Sequence, residues 1–163
     1  MAGADKSPHP KRTRQGGRVQ PAKLERGAAG RPLCRWCRVE IPSGRRTFCS
    51  DACVHDWKLR TDPGYLREQV MKRDAGVCAQ CGLDTLALRR DMRRLDFAAR
   101  RRFLKEWGLT EKSRKSLWDA DHILPVAEGG GQCDLANMRT LCLKCHRNAT
   151  TELRARLRAA AFS

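Results

Sequence analysis

The sequence predicts a small α+β fold stapled by zinc rather than held by a large apolar core. Three observations lead there. The chain has 163 residues, of which 32% are charged and only 6% aromatic, so one large core cannot be built. Nine cysteines are present, most of them in closely spaced pairs, and small domains that lack a core use such staples. From Leu117 onward the apolar pattern reads strand, loop, strand, helix.

The formal net charge is +16, from 34 Lys and Arg against 18 Asp and Glu. That excess calls for a polyanionic partner, and nucleic acid fits best. A membrane surface fits poorly, because no basic amphipathic anchor with large apolar residues is visible. No apolar signal-peptide core follows Met1 and no run is long enough to span a bilayer. The expected location is intracellular and reducing: cytoplasm or nucleoid, or the nucleus of a eukaryote. There, paired C-x-x-C cysteines favour zinc over disulfides.

Residues 1–32 read as a disordered basic tail. Pro8, Pro10, Pro21 and Pro32 interrupt it, and Val19 and Leu24 are its only large apolar groups. Its basic residues suit phosphate contacts; they equally suit a solubilising or targeting terminus.

Residues 33–62 read as a four-cysteine, zinc-finger-like module. Cys34 and Cys37 are spaced C-x2-C, and Cys49 and Cys53 are spaced C-x3-C. Four thiolates so placed close a tetrahedron and leave no open position, so this zinc is expected to be structural. Pro42, Ser43 and Gly44 supply a turn, Arg45–Phe48 a returning strand, and Ser50 and Asp51 a helix start. His55 is expected on the exposed face of that helix.

Residues 63–163 make the larger module. Tyr65–Asp74 reads as a connecting helix ended by Gly76, without chemistry of its own. Cys78 and Cys81 have no nearby partner pair; the next at this spacing is Cys142 and Cys145. A second structural zinc on these four would close a long loop, which restrains the unfolded chain strongly in simple theory. Cys133 is left over as a small thiol. Met92, Leu95, Ala99, Phe103 and Trp107 recur at steps of three or four, predicting one amphipathic helix ended by Gly108. Arg93, Arg94, Arg100, Arg101 and Arg102 cover its other surface and are candidates for phosphate contact, or for solvation alone. The run from Lys112 to Lys115 extends the basic character.

Leu117–Leu124 reads as a strand, Pro125 and Gly129–Gly131 as a loop, Asn137–Leu141 as the returning strand, and the chain from Cys142 as a helix. Asp121 and His122 then sit on the first strand, Asn137 before the second, and His146 in the first turns of the helix. Phosphodiester cleavage needs a base that titrates near neutral pH, and histidine is that side chain. It also needs a cation to stabilise charge on the phosphate, held by carboxylate and imidazole. Neighbouring strand residues face opposite ways, so Asp121 and His122 can divide these tasks, one facing the metal and the other the water, if the strand bends locally.

The motifs CAQC, DHILPVAEGGGQCDLAN and LCLKCH resemble the HNH endonucleases of the ββα-metal fold, in the subgroup clamped by a four-cysteine zinc. Within it they are similar to the C-terminal nuclease domains of fork-remodelling annealing helicases, where an FCS-type cysteine cluster also precedes the nuclease. The resemblance implies a treble-clef-like domain that hydrolyses DNA phosphodiesters with Mg²⁺ or Mn²⁺. It implies His122 as general base, Asp121 and His146 as ligands of the catalytic ion, and Asn137 as the residue that orients the base or completes the metal site. A non-catalytic zinc-finger nucleic-acid-binding protein and an RNA-directed nuclease remain the alternatives.

Overall fold

The computed structural model describes residues 11–12, 17–110, 112 and 116–161. Lys6, Arg14, Arg114 and Lys115 of the basic runs lie outside the described residues. The chain divides into two compact units, residues 1–66 with 126–137, and residues 67–125 with 138–163.

The first unit is the finger. Its one long helix, α1 (Asp51–Thr61), starts where the Ser50 hydroxyl accepts the Cys53 N–H at 3.2 Å, a side-chain N-cap. Cys34, Ile41 and Cys53 form its core, with Leu24, Trp36 and Phe48 packed on it. Leu24 changes the reading of the tail. Pro21–Lys23 forms a 3-10 turn, Arg26 bridges Pro32, and the Ala29 N–H reaches the Glu40 carboxylate at 2.7 Å. Disorder through residue 32 is therefore corrected: the last dozen residues of the tail are folded, because Leu24 has a core to enter.

Two further expectations change here. Arg45–Phe48 is not a strand. Arg35 N–H donates to Thr47 O at 3.1 Å, one rung without a ladder. Nor is His55 an exposed helix residue: it is half-buried, with Nδ1 2.8 Å from the Tyr65 hydroxyl. The surplus thiol Cys133 is buried, as a small apolar group would be.

Helix α2 (Pro63–Asp74) contains the unit boundary, between Leu66 and Arg67. The second unit then follows with α3 (Thr85–Arg94), α4 (Phe97–Glu106), β1 (Trp118–His122), β2 (Met138–Cys142) and α5 (Leu143–Ala160). Strands β1 and β2 are antiparallel, with Trp118 opposite Cys142, Asp121 opposite Arg139 and His122 opposite Met138. The core joins Cys78, Trp107, Leu117, Leu141 and Cys142, with Leu83, Phe103 and Ala149 around it. The fold is the expected small α+β arrangement of a two-stranded sheet and helices, with two cysteine clusters.

The single amphipathic helix predicted around Met92–Trp107 is two. Leu95 leaves the helical conformation at φ −67° and ψ 145°, and the Asp96 carboxylate then accepts the Ala99 N–H at 2.8 Å. Periodicity carried across that break because the cap adds few residues; the Asp96 N-cap was the signal that should have divided it. Gly108, at φ 64°, ends α4 in the left-handed conformation that glycine adopts freely.

Candidate active site

The cysteines are brought together first. The Sγ atoms of Cys34, Cys37, Cys49 and Cys53 lie within 4.8 Å of one another, and so do those of Cys78, Cys81, Cys142 and Cys145. Cys37 and Cys49 are 3.4 Å apart, as are Cys49 and Cys53, and Cys81 and Cys142 are 3.9 Å apart. A tetrahedral zinc with Zn–S of about 2.3 Å sets sulfur atoms about 3.8 Å apart, whereas a disulfide would need about 2.05 Å. None of these cysteines is in a disulfide. Both clusters therefore suit a metal with thiolate ligands.

In each cluster the local backbone favours the thiolate at one cysteine. Burial alone would raise the Cys78 thiol, but backbone N–H groups of Cys142, Cys81 and Gln80 outweigh it and bring it down to about 6. At Cys34, N–H groups of Cys37, Cys49 and Trp36 likewise overcome burial and hold the thiol at about 7. The partners go the other way: burial and neighbouring sulfur push Cys49 up to about 12 and raise Cys145 as well.

The second cluster sets the start of α5. Cys142 is the N-cap, its Sγ accepting the Cys145 N–H at 3.4 Å. Leu143 N–H donates to Leu117 O at 3.0 Å, tying the helix start to the chain just before the strand that carries Asp121. His146 follows Cys145 at once, so its position is fixed through the cysteine. Its Nε2 lies 3.7 Å from Asp121 Oδ1. Two donors at that separation can share one cation at about 2.1 Å from each. Among the described residues, only the two four-cysteine groups gather three or more such ligand atoms, so Asp121 and His146 stand as a pair.

His122 is half-buried on β1, next to Asp121. Asn137 closes the 3-10 turn Leu135–Asn137 in the first unit, and its Nδ2 donates to Gly131 O at 3.3 Å. Gly129 of the triple glycine has φ 93°, so the loop turns through a conformation costly for other residues.

Several polar residues went unnoticed in the sequence. Arg139, directly across the sheet from Asp121, donates Nε and Nη2 to Asp121 Oδ2, both at 3.0 Å. Arg67 of α2 reaches Asp119 Oδ1 at 2.5 Å and Trp118 O at 2.7 Å, and lies 3.6 Å above the Trp118 ring. Arg73 pairs with Asp74 and donates to Met138 O at 2.6 Å, while Asp74 accepts the Thr140 N–H at 2.9 Å. Helix α2 is thus no idle connector: it holds the outer edges of both strands. Only Arg139 carried a readable signal, its place opposite Asp121 once the hairpin register is drawn.

Of the candidate phosphate-binding residues, Arg93 and Arg94 end α3, while Arg100, Arg101 and Arg102 lie on α4. All but the half-buried Arg100 are exposed.

The HNH endonuclease family model matches residues 108–152, from the end of α4 into α5. The mouse DNA annealing helicase and endonuclease ZRANB3 is 36% identical over 144 residues, covering 76% of this chain and 14% of that protein. The human protein of the same name is 32% identical over 142 residues, covering 74% and 13%. This chain therefore spans about one seventh of the length of the mouse relative. The crystal structure of the human ZRANB3 HNH domain is 29% identical, covers 60% of this chain and 97% of that one, and superposes with a TM-score of 0.46. The chain therefore carries a domain of the HNH endonuclease family, resembling the HNH domain of ZRANB3.

Proposed function

We propose that this protein is a metal-dependent endonuclease that hydrolyses phosphodiester bonds in DNA, at a site formed by Asp121, His122 and His146. The observation that carries the reading is the approach of His146 Nε2 to Asp121 Oδ1, 3.7 Å; His122 is the next residue along the strand that carries Asp121. Asp121 and His146 would hold a divalent ion, Mg²⁺ or Mn²⁺. When bound, such an ion neutralises charge on the phosphate and on the leaving oxygen. His122 takes the proton of the attacking water, the general-base task for which histidine is the side chain most often used. Arg139 holds the carboxylate of Asp121 in place. Asn137 keeps the role that motif order gives it, orienting the base or completing the metal site. Arg93, Arg94, Arg100, Arg101 and Arg102 would take phosphates along the strand.

Two structural zinc ions complete the proposal, one on Cys34, Cys37, Cys49 and Cys53 and one on Cys78, Cys81, Cys142 and Cys145. Residues 33–62 act as a finger that precedes a nuclease module of residues 63–163 in the chain, with basic residues of 1–32 adding phosphate contacts. DNA as substrate draws on the similarity to mouse ZRANB3, a DNA annealing helicase and endonuclease; branched or nicked DNA is included in the proposal. An intracellular place of action, with DNA rather than a membrane as partner, belongs to the same proposal. Among the described residues, no helix is long and apolar enough to cross a membrane.

The test is cleavage of plasmid, linear, flapped and forked DNA with and without added Mg²⁺ or Mn²⁺, with RNA of matched sequence as competitor. Metal-dependent nicking of DNA is the expected result. A second reading, a nucleic-acid-binding zinc protein without catalysis, draws on the Arg139 guanidinium, which already engages one oxygen of Asp121. Binding without cleavage under every metal would favour it.

A further inference from the structure

We propose that α4 carries a stacking platform for an unpaired nucleic-acid base, formed by Phe97, with Arg101, Lys105 and Lys112 taking the phosphates on either side. The inference rests on the nucleic-acid reading above and adds a substrate feature to it, a single-stranded segment. Phe97 is 73% exposed, more than any other large apolar side chain among the described residues. Leaving an aromatic ring in water forgoes the gain of covering it, and an exposed apolar patch with a polar rim marks a contact surface. The ring is not on a loose segment. Phe97 is the first residue of a helix capped by Asp96, whose carboxylate accepts the Ala99 N–H at 2.8 Å.

A groove of about 640 Å³ opens beside the ring. Leu104 and Leu109 add to its apolar lining, Arg101, Lys105 and Lys112 supply cations, and no acidic side chain lines it among the described residues. Phe97, Arg101 and Lys105 follow one another at steps of four, so they fall on one face of α4 at a rise of about 6 Å per step. An aromatic ring followed by cations along one line is the combination that binds single strands: every base has a face to stack, and every nucleotide a phosphate to neutralise. A duplex keeps its bases stacked inside and offers this ring nothing equivalent. A second copy of the chain is disfavoured as occupant, since a symmetric contact would set the same cations against one another.

The experiment is fluorescence anisotropy with a short single-stranded DNA and a duplex of equal length, on the zinc-loaded full chain, without added Mg²⁺ or Mn²⁺. Phe97→Ala is expected to weaken single-strand binding about tenfold, the effect of one stacked base, and to leave duplex binding unchanged. Phe97→Trp restores the single-strand affinity. Unchanged single-strand binding by Phe97→Ala overturns the platform while leaving the nuclease reading standing. So does equal loss for both DNAs, or a Phe97→Ala that alters only self-association in sedimentation. A parent protein that binds neither DNA overturns the platform and the nucleic-acid reading together.

Discussion

Arg139 donates Nε and Nη2 to one oxygen of Asp121, at 3.0 Å each, from directly across the two-stranded sheet. The other oxygen of that carboxylate is the one that approaches His146. Arg139 thereby fixes which oxygen faces the histidine, a supporting role of the kind whose loss costs about tenfold to a hundredfold in activity at metal sites. Arg139→Gln is expected to lower the rate of metal-dependent nicking by that factor. The ion pair is partly exposed, so the change in stability is at most about 1 kcal/mol, or about 2–4 °C in Tm. Nicking at the parental rate would remove Arg139 from the site.

Asp74 is a control on the frame. Its carboxyl is held below the usual range, first by the Arg73 guanidinium and then, against the opposing effect of burial, by Thr140. A lowered folded pKa contributes stability that is complete above the unfolded value of about 3.9 and is lost as pH falls through the folded one. Asp74→Asn should therefore be less stable than the parent at pH 7, by about 1–3 kcal/mol for hydrogen bonds to a charged group. The difference should narrow in urea unfolding below about pH 4. A constant difference across that window would mean Asp74 acts by shape rather than charge.

Elemental analysis should find about two tightly held zinc ions per chain, one for each four-cysteine group. Cys78→Ser removes a ligand shared between distant parts of the chain and is expected to unfold the second unit and abolish nicking. Cys34→Ser should lose one zinc and destabilise the finger. Finding no zinc, or cysteines oxidised in the folded protein, would contradict the design.

The cysteine clusters were legible because ligand spacing is a local pattern and zinc tolerates few alternatives. Asp121, His122, Asn137 and His146 were legible as a motif, and the structure brings Asp121 to His146. Arg67 and Asp74 were not, and Arg139 becomes so only once the hairpin register is drawn. Their roles come from strand register and from where α2 lies against the strand edges, neither of which follows from composition or periodicity. The break at Asp96 was missed for the opposite reason: the apolar spacing continued through it while the backbone did not. Leu24 was assigned to a disordered tail because a single apolar residue among prolines and arginines gives no local signal of the core it enters.

The most direct test of the central assignment is plasmid nicking by His122→Ala beside the parent, both zinc-loaded, with Mg²⁺ or Mn²⁺ added and melting curves recorded. Loss of a general base is expected to slow cleavage by about 10²- to 10⁴-fold, with the Tm and zinc content of the parent retained. A His122→Ala protein that cuts as fast as the parent would contradict the account.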